Sequence, residues 1–308
     1  MSNFNENNLE ITRRGFVGAL SLALVGCRAL DFGKRPKFAL NPSTVMKFNL
    51  PLERQVRLAA AGGFRGLEPW LKDVRVADAA GKLPEIPRLA EDLGLEFING
   101  IAFGAWSHPD AERRRKGIEE TKRDMDMLNR LGCHRIAASL CGIHAEGAPK
   151  TTLAEIAERY AALLELGRRE GVRPLLEYWG HSVVMNRPED ALKVVEMVKD
   201  PDCAILADVF HTFKGGGKFA AFGRLTERLM PVLHVNDYPG RPAKELTDAD
   251  RVWPGDGEAP WKEILGALAR ADNPAPWFSL ELFNQSYQVR TPEWTVRTAR
   301  EKMSNVFG

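Results

Sequence analysis

From Lys37 onward the chain repeats one rhythm. A short apolar run of strand length is followed by a longer stretch with apolar residues at helical spacing. The runs are KFALN (37–41), GLEPW (66–70), LEFINGI (95–101), RIAASL (135–140), PLLEYW (174–179), AILADVF (204–210), VLHVND (232–237) and WFSLELF (277–283). Helices are predicted over Leu52–Gly62, Ala111–Leu131, Thr152–Arg169, 187–198, Trp261–Arg270 and Thr291–Met303. Thr151 or Thr152 with Glu155 forms a capping-box pattern, and Pro188 suits a first helical turn. Strands that alternate with helices pair in parallel. Eight such units predict a closed (β/α)8 TIM barrel spanning 37–308 as a single domain. The competitor is an open, doubly wound sheet, which would carry a glycine-rich phosphate turn after its first strand. LNPSTVMKF (40–48) contains no glycine.

At 308 residues, 44% hydrophobic and 27% charged, the chain reads as an ordinary globular protein whose core needs no disulfide or metal staple. Net charge is 43 − 41 = +2, with no basic patch, so nucleic acid is not an expected partner. The first residues differ from the rest. Polar residues Ser2 to Glu10 precede TRRGFV (12–17), and an apolar run extends from Phe16 to Gly26 before Cys27. A charged region before a short apolar stretch reads as an export signal. Paired arginines resemble a twin-arginine signal. LVGC (24–27) resembles a lipoprotein cleavage box, which would attach the protein to a membrane through Cys27. Residues 1–27 are therefore expected to be signal and 28–36 linker, with the barrel exported to the periplasm or envelope. An unused signal would leave the protein in the cytoplasm. Cys133, Cys141 and Cys203 form no CxxC pair and read as small hydrophobes.

In a TIM barrel the chemistry is built at the C-terminal ends of the strands. Four successive runs place an ionisable group there: Glu177 in the fifth, Asp208 and then His211 in the sixth, His234 in the seventh, and Glu281 in the eighth. Alternation puts Leu175, Glu177 and Trp179 on one side, and likewise Ser279, Glu281 and Phe283. Each residue alone has a structural explanation. Asp208 in LADVFH (206–211) fits a neighbouring arginine, a helix start or a metal ion equally. Together the three carboxylates would repel one another unless a cation sat between them. Two Glu, one Asp and one His make a hard O/N donor set, suited to Mn²⁺, Mg²⁺ or Co²⁺, with zinc also open.

The order Glu177, Asp208-x-x-His211, His234, Glu281 resembles the xylose isomerase-like TIM-barrel family, specifically its sugar and sugar-phosphate isomerases and epimerases. These are typified by D-tagatose 3-epimerase and hydroxypyruvate isomerase. RVWPGDGEAPW (251–261) is similar to that group's Arg-x-x-x-Gly-x-Gly segment. The resemblance implies Glu177, Asp208, His234 and Glu281 as ligands of one divalent metal, Mn²⁺ first among the candidates. It also implies His211 and Arg251 at the substrate's oxygens, and Glu68 near the substrate. Trp70, Trp106 and Trp179 are expected either as aromatic walls beside a sugar or as core. The partner is a small carbohydrate, and homo-oligomers occur among the relatives.

The expected reaction is isomerisation or epimerisation of a keto-sugar or hydroxy-ketone. A proton moves through an enediolate between Glu177 and Glu281 while a Lewis-acid cation stabilises charge on the carbonyl oxygen. The same proton abstraction supports a lyase or hydratase acting on a keto-inositol or 3-keto-glycoside. A non-catalytic sugar-binding barrel is the further alternative.

Overall fold

The computed structural model describes residues 36–273 and 276–308. The expected signal, linker and Cys27 anchor lie outside the described residues, apart from Pro36. Eight strands form one parallel sheet: β1 (Lys37–Leu40), β2 (Gly66–Leu67), β3 (Glu96–Phe97), β4 (Arg135–Ala138), β5 (Arg173–Glu177), β6 (Ile205–Asp208), β7 (Val232–Val235) and β8 (Trp277–Leu280). Their order is β3-β2-β1-β8-β7-β6-β5-β4. The ring closes between β3 and β4. Gly100 N donates to Arg135 O at 3.0 Å, and Ala137 N donates to Gly100 O at 2.8 Å. The expected TIM barrel is therefore present, with its strands shorter than the apolar runs suggest.

Helices pack around the ring: α1 (Leu52–Ala61), α2 (Leu71–Ala79), α3 (Ile86–Asp92), α4 (Ala111–Arg130), α5 (Leu153–Glu170), α6 (Pro188–Val198), α7 (Val209–Lys214), α8 (Trp261–Arg270) and α9 (Pro292–Phe307). The capping box forms at Thr152 and Glu155. The sequence reading omits α2, α3 and α7. The last is short because β6 stops at Asp208, whose side chain caps the helix that starts at Val209. The predicted strand thus runs two residues too long: an N-capping carboxylate turns the apolar residues Val209 and Phe210 into a helix start. Among the described residues, no helix is long and apolar enough to cross a membrane.

The core has two layers. Large clusters fill the space between strands and helices, while Ala39, Ile98, Leu175, Leu206, Val232 and Trp277 share a separate inner cluster. Side chains alternate along a strand, so residues two positions on face the same way. The positions following this inner set are Asn41, Glu177, Asp208, His234 and Ser279. Each continues an inward-facing row that is apolar deep in the barrel and polar at its C-terminal mouth.

Candidate active site

His234 organises the mouth. It is fully buried, and its Nε2 donates to both Glu68 oxygens, at 3.0 and 2.9 Å. Glu68 also accepts from Asn99 Nδ2 at 2.8 Å, Ser279 Oγ at 2.6 Å and Asn41 Nδ2 at 3.1 Å. Burial alone would raise the Glu68 pKa, but the His234 charge and these donors outweigh it and hold the carboxyl below its ordinary value. Glu68 thus fixes the ring orientation. His234 Nδ1 points at three other carboxylates: Glu281 Oε2 at 3.3 Å, Asp208 Oδ2 at 3.7 Å and Glu177 Oε1 at 4.0 Å. These contacts lack hydrogen-bond geometry, and Nδ1 has no hydrogen-bond partner among the described residues. Burial opposes a charge on His234, yet Glu281 and Glu68 hold its pKa well above the ordinary value.

Asp208, His234 and Glu281 bring ligand atoms within 4.8 Å of one another. Glu177 stands just outside this cluster. A buried imidazole nitrogen without a hydrogen-bond partner, three facing carboxylates and a carboxylate on the far ring nitrogen are the makings of a divalent-cation site. Glu177 differs electrostatically from its neighbours. Burial, with His234 opposing and Glu281, Asp208 and Glu68 reinforcing, pushes its pKa up to about 8.

The protein also supplies its own cation. Arg251 is 1% exposed. Its Nη1 donates to Asp208 Oδ2 at 2.9 Å and to Glu281 Oε2 at 2.8 Å. Its Nη2 donates to His211 Nε2 at 3.2 Å and to Asp248 Oδ1 at 2.5 Å, and Nε donates to the same Asp248 oxygen at 3.1 Å. The guanidinium carbon lies 4.8 and 5.1 Å from the Phe210 and Phe283 ring centres. All five guanidinium N–H groups therefore have protein partners. His211 accepts from Arg251 through Nε2, so the ring is neutral. Burial first, and then Arg251 against the pull of Asp208, pushes its pKa down to about 4. Its Nδ1 has no partner among the described residues.

Above this floor lies a cavity of about 210 Å³. Glu177, His181, His211, Asp248, Arg251 and Glu281 supply its polar lining. Trp70, Phe103, Trp179 and Phe283 form an aromatic wall, with Trp70 5.3 Å from Phe103 and 6.1 Å from Phe283 between ring centres. Trp106 is core instead: it is 2% exposed and donates to Ser139 O at 2.8 Å.

The structure brings Glu177, Asp208, His211, His234, Arg251 and Glu281 together as the sequence pattern suggests, with three differences. Asp208 meets two of its three sequence-level explanations at once, capping α7 through His211 N at 2.7 Å and pairing with Arg251, and it also faces His234 in the cluster that could hold a cation. Arg251, expected at substrate oxygens, does line the cavity, with its N–H groups directed at protein acceptors. Glu68 was expected near substrate, yet it does not line the cavity and its oxygens are filled by four protein donors. Sequence reasoning missed Asn41, Asn99 and Asp248. Asn41 ends the first apolar run, so the strand-end rule applied to the other four would have found it. Asp248 sits in a long connection without any such signal.

Eight parallel strands closed into a ring, with carboxylates and an imidazole converging at the C-terminal mouth, define a TIM barrel whose titratable groups gather at its strand ends. The chain belongs to the xylose isomerase-like TIM barrel family, whose sequence pattern matches residues 56–305. It is 27% identical over 276 residues to inosose isomerase of Bacillus velezensis, covering 86% of this chain and 95% of that one. It is 27% identical over 246 residues to 3-dehydroshikimate dehydratase of Pseudomonas aeruginosa, covering 77% of this chain and 37% of that one. Among solved structures, IOLI protein with a bound zinc atom superposes with a TM-score of 0.79 at 24% identity, covering 88% of this chain and 98% of that one.

Proposed function

We propose that the protein is a divalent-metal-dependent isomerase or epimerase of a polyhydroxylated ketone, a keto-sugar or a keto-cyclitol of the inosose kind. The observation that carries this reading is His234 Nδ1, buried without a hydrogen-bond partner and facing Glu281, Asp208 and Glu177. Glu177, Asp208, His234 and Glu281 would hold the cation. The donor set suits Mn²⁺ and also accepts zinc, the metal named for the similar IOLI structure. When bound, the cation supplies Lewis acidity toward the ketone oxygen and offsets the carboxylate charge.

The chain's own residues supply the proton chemistry. Glu177 and Glu281 are separate strand-end carboxylates lining one cavity. One removes a proton from the carbon beside the ketone and the other returns a proton to the same or the neighbouring carbon, with an enediolate between the two steps. His211 offers a neutral Nδ1–H to a developing oxyanion. Asp208 and Arg251 hold Glu281 in place, and the aromatic wall excludes water from the reacting carbons.

The relation to a dehydratase supports a second reading, in which the same proton abstraction is followed by loss of a β-hydroxyl. Protein loaded with Mn²⁺ and incubated with inososes and ketoses in D₂O separates the readings. Isomerase action gives deuterium at an α carbon with the mass otherwise unchanged. Dehydratase action gives loss of water. Absence of both with every ketone offered, or exchange that survives full chelation, sinks the proposal.

A further inference from the structure

The cavity holds an electrostatic arrangement that the proton chemistry does not require. Among the described residues lining it, Arg251 is the one cationic side chain. Two of its five N–H groups are occupied by Asp248 Oδ1, at 3.1 and 2.5 Å, from a short 3₁₀ turn (Asp248–Asp250) in the connection after β7. The Asp248 side chain is 38% exposed, and no described residue donates to its second oxygen. Lys214, on the neighbouring helix α7, donates to the carbonyls of Ala243, Lys244 and Leu246. Lys72 lies 4.9 Å from the Trp70 ring centre but does not line the cavity. His211 is neutral because it accepts from Arg251. His181, the other imidazole of the lining, has its pKa lowered by burial. The lining thus presents the carboxylates Asp248 and Glu281, with Glu177 a third carboxyl group that carries a proton at neutral pH in the metal-free protein, and no free guanidinium or ammonium donor.

Phosphate and carboxylate groups are recognised by cationic donors in a fork or cluster, and a like charge beside an incoming anion costs several kcal/mol. Hydroxyl groups need the opposite, acceptors such as a free carboxylate oxygen. We propose that Asp248 is a specificity-determining residue: by occupying Arg251 and presenting its outer oxygen to the cavity, it selects uncharged polyhydroxylated ketones and turns away phosphorylated or carboxylated ones. This deepens the proposed function and rests on it for the word ketone. The exclusion of anions rests on the cavity alone. It also sets the protein apart from a dehydratase whose substrate carries a carboxylate.

The test uses the full chain, stripped of metal by chelation and dialysis so that phosphate has no cation to bind, and titrates inorganic phosphate calorimetrically. Wild type is expected to show no saturable binding. Asp248→Ala uncovers two N–H groups of Arg251, and phosphate affinity is expected to rise by at least about tenfold. Asp248→Asn keeps an acceptor on Arg251 while removing the charge, so it should fall between the two and serves if the alanine variant does not fold. Saturable phosphate binding by wild type equal to that of the variants overturns the proposal. So does a folded Asp248→Ala protein that gains nothing. The D₂O exchange experiment is independent of these titrations. Its failure would remove the isomerase reading and leave anion exclusion standing, while the reverse result would leave an isomerase with a different selectivity filter.

Discussion

Glu68→Gln separates the orienting charge behind His234 from the hydrogen bonds around it. The change keeps the volume, and the surroundings can adapt to an amide. The new amide oxygen can still accept from His234 Nε2. Asn99 Oδ1, which has no partner among the described residues, can turn to accept from the new NH₂, and the Ser279 hydroxyl can rotate to do the same. Asn41 retains Glu281 Oε1 as a partner at 3.1 Å. What disappears is the negative charge that makes Nδ1 a stronger electron donor. Carboxylates in this position typically contribute about 10–100-fold to metal affinity, so Mn²⁺ or Zn²⁺ binding should weaken by that factor. Stability should fall far less than for Glu68→Ala. The alanine variant removes the acceptor of His234, Asn99 and Ser279 together and should cost about 3–5 kcal/mol, as expected for breaking a buried pair. Chelator-competition titrations give the affinities and urea unfolding of metal-free protein gives the stabilities. Unchanged metal affinity in a folded Glu68→Gln protein would refute the claim that the Glu68 charge strengthens His234 as a ligand.

Three further outcomes follow from the same geometry. At pH 7 the metal-free protein holds protons on Glu177, whose pKa lies at about 8, and on His234, whose pKa lies well above its ordinary 6.5. Metal binding must displace them, so calorimetry in buffers of different ionisation enthalpy should show release of roughly two protons, and release of none would contradict the ligand set. Those raised values also mean that the metal-free fold binds more protons than the unfolded chain between pH 6.5 and 8. Its stability is therefore lost as pH rises through that window, and chelated protein should melt several degrees lower at pH 8 than at pH 6.5. His211 acts in the opposite sense only below pH 6.5. Glu177→Gln should lower deuterium exchange about 10²–10⁴-fold while metal is still bound by the other three residues, and exchange at the wild-type rate would remove Glu177 from the proton chemistry. Away from the site, the single Tyr160 O–H proton is shared between Pro174 O at 2.9 Å and Ala204 O at 3.0 Å, and the hydroxyl oxygen accepts from Ala204 N at 3.2 Å. Ala204 O keeps Leu176 N as a donor at 2.8 Å, but Tyr160→Phe strands Ala204 N and removes the donor to Pro174 O, and should destabilise the fold by about 1–3 kcal/mol in urea titrations.

The barrel was legible in the linear pattern because its elements are local. A strand-length apolar run followed by a helical period needs only neighbouring residues to be recognised, and period-two alternation then groups Glu177 with Leu175 and Trp179, and Glu281 with Ser279 and Phe283, without reference to any partner. Helices α2 and α3 escaped notice because their apolar faces are short. The pairings at the mouth were not legible in this way. Glu68 and His234 are 166 positions apart and Asn41 and Glu281 are 240 apart, so no spacing rule connects them. Ring closure brings them within hydrogen-bond reach and turns Glu68 from an expected substrate neighbour into the anchor of an imidazole. Arg251 likewise reads as a free cation in the chain and becomes a saturated one in the fold, because three acidic side chains and a histidine from other positions converge on it. Local periodicity sets where a side chain points. Which groups meet there, and which charges cancel, depends on closure of the whole barrel.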